Sequence, residues 1–131
     1  MDMMDLKEIF DKKNVFAVVG VSRNTEKWGF KVFKMLKDNG YTVYPINPHI
    51  DEIEGERCFP SLSALPIRPD VVSIVVPPHV TEEVVKECKL LGVKNVWMQP
   101  GSESEAAIKF CKVNGINVIY GMCMIMERQK L

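Results

Sequence analysis

The sequence predicts an α/β fold: a Rossmann-like doubly wound sheet of about five parallel strands with helices on both faces. Continuous apolar runs alternate along the chain with amphipathic stretches. Glycines follow several of these stretches, at positions where a left-handed residue commonly ends a helix. Most connections between the segments are short. Strands that alternate with helices through short connections form parallel sheets covered by helices on both faces.

The strands are predicted from the apolar runs. The first run, VFAVVGV, is continuous rather than alternating, which is typical of a strand buried on both faces. Pro45 is expected to mark the end of the second strand, because proline has no N–H to donate to a neighbouring strand. The predicted strands cover residues 15–21, 41–46, 71–76, 93–98 and 116–120.

The helices are predicted from apolar residues that recur at helical spacing. In the first helix Trp28, Val32 and Leu36 fall on one face, so Trp28 is expected to be buried. The third helix is expected to open on a capping box formed by Ser102 and Glu105. The predicted helices cover residues 28–37, 81–91 and 102–113.

The remaining segments are less regular. Residues 47–69 contain repeated prolines, which predict a loop with at most a helical turn near residues 61–65. The period-two spacing of Met122, Met124 and Met126 favours a strand or a packed tail. A further helix is predicted ahead of the first strand, from the spacing of Met3, Leu6, Ile9 and Phe10.

Length and composition restrict the function. A chain of 131 residues is expected to form a single domain over residues 1–131. Its 17 basic and 17 acidic side chains give no basic excess, which argues against nucleic-acid binding and against a polybasic membrane surface. No apolar run approaches membrane-spanning length, and the first residues do not resemble a secretory signal. A cytoplasmic location with reduced thiols is therefore expected.

The cysteines of the sequence are not spaced as metal ligands usually are. The four cysteines Cys58, Cys88, Cys111 and Cys123 form no C-x-x-C pair, so no metal site is expected. Cys88 and Cys111 fall on the apolar faces of their helices and are expected to lie in the core.

The loop after the first strand is the strongest candidate for a binding site. Doubly wound sheets bind ligands at the carboxyl ends of their strands, near the switch in strand order. Residues 20–27 read GVSRNTEK and precede a helix, whose free amides and dipole favour a phosphate. Arg23 and Lys27 add positive charge, so we expect a phosphate-binding loop. The alternative is a helix N-cap formed by Ser22 or Thr25 beside two solvated cations.

The same loop is unsuited to a nicotinamide dinucleotide. A G-x-G-x-x-G loop needs three closely spaced glycines, whereas here Gly20 is followed only by Gly29. The acidic residue that would hold the ribose at the end of the second strand is also missing.

The sequence resembles the small stand-alone CoA-binding proteins, whose fold is the CoA-binding Rossmann domain of the succinyl-CoA synthetase alpha subunit. The resemblance extends from about residue 6 to residue 127. Its most specific phrases are GYTVYPINP followed by CFPSL. Further matching phrases are VFAVVGVSRNTEKWGFKV, PDVVSIVVPP, VWMQPG and CMIME.

The resemblance implies a protein that binds coenzyme A or an acyl-CoA through the loop after the first strand, without catalysis of its own. It places the CoA phosphates on Gly20, Val21, Ser22, Arg23, Asn24, Thr25 and Lys27. It places further contacts on Asn47, Pro48, Val76, Pro77, Pro78, Met98, Gln99 and Pro100. The chain departs from the family at Met122, where an arginine is common, and at His49, where a lysine is frequent.

The sequence is also compatible with two other functions. The chain could be a subunit of a CoA ligase that needs a partner chain, or an NAD(P)-binding domain. His49 and His79 fall on ligand-side loops, but no base, nucleophile and orienting residue can be assembled around them, so no catalytic residue is assigned. A disulfide between Cys58 and Cys123, or a mixed disulfide of either with CoA, also stays open.

Overall fold

The computed structural model describes residues 5–131, and Met3 of the predicted leading helix lies outside this range. The helices are α1 (Leu6–Ile9), α2 (Trp28–Asp38), α3 (Pro78–Leu91), α4 (Glu105–Val113) and α5 (Met124–Gln129). The strands are β1 (Val15–Val19), β2 (Thr42–Ile46), β3 (Glu52–Ile53), β4 (Glu56–Arg57), β5 (Val71–Ile74), β6 (Asn95–Met98) and β7 (Asn117–Ile119). A 3-10 turn covers Leu62–Ala64.

The main sheet has five parallel strands in the order β2-β1-β5-β6-β7. The chain moves outward from β1 to β2 and then crosses back to β5 on the other side of β1. The strand order therefore switches direction between β1 and β5, and a doubly wound sheet opens a crevice there. This arrangement confirms the predicted fold class.

Successive residues of β1 show why its apolar run is continuous. Phe16 and Val18 pack in a core with residues of α1, α2 and α5. Ala17 and Val19 point to the opposite face, in a core with residues of α3 and α4. Each face of the sheet is covered by helices, so every position along the strand must be apolar.

Two features of the second strand and the following loop differ from the prediction. Pro45 lies inside β2, opposite Val18, rather than beyond its end. Because β2 is an edge strand, the missing N–H leaves no neighbouring strand unpaired. The irregular stretch contains an antiparallel pair of two-residue strands, β3 and β4, which are too short to produce a sequence pattern.

Two helices begin elsewhere than predicted. Helix α3 begins at Pro78, where proline suits the first helical position. The capping box predicted at Ser102 is wrong, because Ser104 is the N-cap of α4 and its Oγ accepts a hydrogen bond from Ala107 N at 3.1 Å. Ser102 is instead buried, and its Oγ accepts from Val76 N at 3.1 Å.

The C-terminal methionines lie near and within a helix, so the strand alternative for this segment is wrong. Met124 is the first residue of α5 and is fully buried, which agrees with a packed tail. None of the helices among residues 5–131 has the length and apolar character needed to cross a membrane.

Candidate functional site

A cleft of about 590 Å³ opens at the switch point between β1 and β5. The ends of β1, β2 and β5 and the start of α2 contribute its walls. Its lining residues are Gly20, Val21, Ser22, Glu26, Lys27, Trp28, Gly29, Asn47, Val75, Val76 and Pro77. The cleft therefore lies where a doubly wound sheet is expected to bind a ligand.

Two glycines allow three backbone segments to meet at the base of this cleft. Gly20 has a φ of +100°, and a Cβ at this position would lie 2.1 Å from the carbonyl oxygen of Val75. A Cβ on Gly29 would lie 2.0 Å from the carbonyl oxygen of Gly20. Only glycine fits at either position, so the first turn of α2 can sit directly against the loop after β1.

The side chains of the loop shape it without capping α2. Ser22 Oγ accepts from Asn24 N at 3.0 Å, and Asn24 Oδ1 accepts from Glu26 N at 3.0 Å. The N-cap position of α2 is Lys27, whose side chain makes no capping hydrogen bond. The alternative of an N-cap at Ser22 or Thr25 is therefore wrong.

The start of α2 consequently leaves hydrogen-bond donors available. Within residues 5–131, the backbone N–H groups of Trp28, Gly29 and Phe30 have no protein acceptor. The first turn of α2 also contains no acidic side chain. Free amides at the positive end of a helix dipole can bind an anion.

The two predicted cations of the loop are placed differently. Lys27 is exposed and lines the cleft. Arg23 turns towards β3, where its Nε donates to the carbonyl oxygen of Glu52 at 2.8 Å. One acidic residue, Glu26, is also among the lining residues. The positive charge at the cleft thus comes from Lys27 and the helix dipole rather than from Arg23.

The predicted contact residues separate into four groups in the structure. Seven line the cleft: Gly20, Val21, Ser22, Lys27, Asn47, Val76 and Pro77. The side chains of five others are exposed outside its lining: Arg23, Asn24, Thr25, Pro48 and Pro78. Met98 is fully buried in the core, and Gln99 and Pro100 line a separate groove.

That groove, of about 150 Å³, adjoins the start of α2 and the start of α5. It is lined by Trp28, Gln99, Pro100, Cys123 and Met126. Gln99 Nε2 donates to Cys123 Sγ at 3.0 Å, and its Oε1 accepts from Met124 N at 3.0 Å. Both ends of this buried amide are therefore occupied within the protein.

Trp28 borders both the cleft and the groove, and the prediction that it is buried is wrong. Its side chain is 50% exposed, and Lys31 Nζ lies 4.9 Å from its ring centroid. Helical spacing placed it on the apolar face, but it occupies the first position of the helix, beyond the core. Three further lining residues, Glu26, Gly29 and Val75, were not among the predicted site residues. Glu26 directly precedes Lys27 in the sequence, and this adjacency could have indicated that Glu26 belongs to the site.

The four cysteines are free thiols in the structure, so no disulfide joins Cys58 to Cys123. Cys88 and Cys111 lie in the core as expected. Burial raises the pKa of Cys88 well above its ordinary value, and raises the pKa of Cys111 to about 11. Burial also raises the pKa of Cys58, whose thiol donates to the carbonyl oxygen of Asn47 at 3.7 Å.

Within the part of the chain that the structure describes, the histidines and acidic residues form no recognisable reactive centre. His49 and His79 are both exposed. Among residues 5–131, no three histidine, cysteine, aspartate or glutamate side chains gather where they could hold a metal ion. The arrangement is that of a cleft that can bind an anion.

Known proteins are similar to this chain in sequence and in fold. A family model described as a CoA binding domain matches residues 14–129. The chain is 37% identical over 107 residues to ADP-forming acetate–CoA ligase II of Archaeoglobus fulgidus. The aligned region is 80% of this chain but only 16% of the ligase. It is 30% identical over 120 residues to the uncharacterized protein YneT of Bacillus subtilis, covering 92% of the chain and 89% of that protein.

Solved structures show the same relationship. A conserved hypothetical protein from Pyrococcus furiosus superposes with a TM-score of 0.83 at 41% identity, covering 87% of this chain and 98% of that chain. The dinucleotide-forming acetyl-coenzyme A synthetase 1 of Ca. Korarchaeum cryptofilum superposes with a TM-score of 0.75 at 32% identity, covering 87% of this chain and 26% of that chain. The chain thus matches small proteins over most of their length and ligases over a fraction of theirs.

Proposed function

Because the chain belongs to the CoA binding domain family, we propose that it binds coenzyme A or an acyl-CoA in the cleft between β1 and β5. The observation that carries the proposal is the uncapped start of α2, which faces this cleft beside Lys27. Coenzyme A carries a pyrophosphate and a separate 3′-phosphate. Loop amides and an ammonium group are suitable partners for such anions.

The residues around the cleft fit both the charged and the apolar parts of this ligand. The backbone of residues 20–22, the first amides of α2 and Lys27 would hold the pyrophosphate. Val75, Val76 and Pro77 supply an apolar wall for the adenine or the pantetheine chain.

The proposal is tested by calorimetric titration of the whole chain with coenzyme A, dephospho-CoA, NAD and ATP. We expect coenzyme A to bind most tightly, since it alone combines a pyrophosphate, a 3′-phosphate and a pantetheine chain. Equal affinity for dephospho-CoA would show that the 3′-phosphate is not recognised. Tighter binding of NAD would overturn the assignment.

Lys27→Ala is the variant that addresses the charge at the cleft. A charge-assisted hydrogen bond contributes about 1.5–3 kcal/mol, so we expect the Kd for coenzyme A to rise by roughly tenfold or more. Lys94→Ala is a matched control, because Lys94 is exposed and immediately precedes β6 at the amino edge of the sheet. An unchanged Kd in Lys27→Ala, with an intact circular dichroism spectrum, would make Lys27 a solvated surface lysine.

A second candidate function is that of a binding subunit within a larger CoA ligase. The chain spans about a sixth of the ADP-forming ligase from Archaeoglobus fulgidus, which favours this candidate. Co-purification from the native host would reveal a partner chain with the missing ligase segments. A location in the cytoplasm remains a prediction under both candidates.

A further inference from the structure

We propose that Asn47 is a positioning residue that holds the loop after β1 in its anion-binding shape, rather than a residue that contacts the ligand. The inference rests on the proposed function of this cleft. It replaces the ligand contact that the family resemblance implies for Asn47. The assignment follows from the hydrogen bonds that Asn47 makes within the protein.

Both ends of the Asn47 side chain are bound to backbone groups. Its Nδ2 donates to the carbonyl oxygen of Val21 at 2.8 Å, and its Oδ1 accepts from His49 N at 2.7 Å. The backbone of Asn47 is also held, because its N–H donates to Phe59 O at 2.9 Å. Asn47 therefore links the end of β2 to the loop after β1 across 26 residues of sequence.

The loop is fixed most firmly at Val21. The Val21 N–H donates to Ile46 O at 3.3 Å, next to the Gly20 N–H, which donates to the same oxygen at 3.0 Å. The Val21 side chain is 1% exposed. With its carbonyl bound by Asn47, this residue has its N–H, its C=O and its side chain all committed to the protein.

The bond from Asn47 determines where the next amide points. The C=O and N–H of a planar trans peptide point in opposite directions. Because the Val21 carbonyl faces Asn47 at the end of β2, the N–H of Ser22 points away from Asn47, and Ser22 itself lines the cleft. Within residues 5–131, this N–H has no protein acceptor. Asn47 thus presents the Ser22 amide to an anion.

The test uses Asn47→Ala, with inorganic pyrophosphate, coenzyme A and pantetheine as separate probes. We expect the Kd values for pyrophosphate and coenzyme A to rise by similar factors, of roughly tenfold, while any binding of pantetheine is unchanged. Asn114→Ala is the control: it also loses one amide-to-carbonyl bond, from Nδ2 to Phe110 O at 2.8 Å, but at the end of α4. It should bind all three probes as the unmodified protein does.

A spectroscopic readout separates positioning from direct contact. In ¹⁵N-correlated spectra of the unmodified protein, pyrophosphate should shift the Ser22 backbone amide and leave the Asn47 side-chain amide protons nearly unmoved. In Asn47→Ala the Ser22 amide should shift before any ligand is added. A large shift of the Asn47 side-chain amide on ligand addition, or an unchanged affinity in Asn47→Ala, would overturn the inference.

The outcomes also separate this inference from the proposed function. If pyrophosphate binds at Ser22 in an Asn47-dependent way but coenzyme A does not bind, the positioning role stands and the proposed function fails. If coenzyme A binds equally well to the unmodified protein and to Asn47→Ala, the proposed function stands and the positioning role fails. If neither probe binds the unmodified protein, both are overturned.

Discussion

Individual glycines determine whether the cleft can form. Gly20 and Gly29 are nine positions apart, which is the wrong spacing for a dinucleotide loop, yet they meet in space because neither carries a Cβ. Gly29 lies in the first turn of α2, where glycine is normally a weak choice. Glycine is required here because a Cβ at position 29 would lie 2.0 Å from the carbonyl oxygen of Gly20.

Gly29→Ala should therefore destabilise the protein, although alanine is the better helix former. The overpacking of a close backbone contact typically costs about 1–3 kcal/mol, which exceeds the gain of about 1 kcal/mol in helix propensity. Urea denaturation measures the difference. Gly115→Ala is the comparison for backbone strain alone, since its φ of +70° strains any side chain while no atom lies within 4 Å. A Gly29→Ala protein as stable as the unmodified one would contradict the close approach.

The buried thiols should make the fold sensitive to alkaline pH. Burial raises the pKa of Cys111 from 9.0 to about 11, so between these values the unfolded chain loses a proton that the folded chain keeps. Stability is therefore full below about pH 9 and falls as the pH rises towards 11. Each tenfold difference in the acid dissociation constant between the folded and unfolded thiol corresponds to about 1.4 kcal/mol. A pKa that rises from 9.0 to about 11 therefore lets Cys111 lower the free energy of unfolding by up to about 3 kcal/mol.

Denaturation curves at pH 8 and pH 10.5 test this dependence. Cys111→Ala should lose less stability between the two pH values than the unmodified protein does, whatever its stability at pH 8. Val84→Ala, which removes a buried side chain from the same core without removing a thiol, should keep the full pH dependence. Parallel losses in all three proteins would rule out ionisation of Cys111 as a cause.

At the level of elements, the C-terminal helix is held by contacts with distant parts of the chain. Helix α5 has 6 residues, which is too short to be stable in isolation. Met124 anchors its first turn in the core. Near its end, Arg128 Nε donates to the hydroxyl of Tyr41 at 2.9 Å, and that hydroxyl donates to Phe10 O at 2.7 Å. Tyr41 thus joins α5 to the residue that follows α1.

Tyr41→Phe should loosen both terminal helices. Removing the buried hydroxyl leaves Phe10 O without its donor and Arg128 without its acceptor, at an expected cost of about 1–3 kcal/mol. Urea denaturation gives the loss, and hydrogen exchange should show faster exchange in α5. Tyr44→Phe is the matched control, because the Tyr44 hydroxyl makes no hydrogen bond within residues 5–131. Equal stability of the two variants would show that the Tyr41 hydroxyl contributes nothing.

At the level of the whole molecule, the cleft and the groove give binding surfaces without a reactive centre. His49 and His79 are exposed, and Cys123 Sγ accepts a hydrogen bond from the buried amide of Gln99. No side chain in either cavity is arranged as a nucleophile paired with a base. Within residues 5–131, no such pair faces a thioester that would be bound in the cleft.

The purified chain should accordingly release no thiol from acetyl-CoA or succinyl-CoA above the rate without protein. A thiol-sensitive colorimetric assay measures this, with His79→Ala and Cys123→Ser as companion variants. Hydrolysis that is lost in either variant would contradict the expectation and identify the residue responsible. Turnover that appears only after a partner chain is added would favour the ligase-subunit candidate.

The sequence by itself determined the fold class, the five main strands and the loop at which the cleft opens. Burial of a strand on both faces requires a continuous apolar run, and the runs around Val18 and Val72 have no other ready explanation. The phosphate-type loop was also visible, because its small polar residues, its bases and the following helix are adjacent in the chain. These features depend on neighbouring residues, so a linear pattern is enough to show them.

Only the tertiary structure decided which of the loop residues face the cleft. Arg23 is turned away by Glu52, Asn47 is bound to Val21, and Trp28 is half exposed between two cavities. The close contact of Gly29 with Gly20 was equally invisible in the linear pattern. The contacts of Arg23, Asn47 and Gly29 are made with backbone groups that are distant in sequence and that folding brings together. A side chain's partners are therefore fixed by the packing of the sheet and its helices, which the spacing of residue types does not encode.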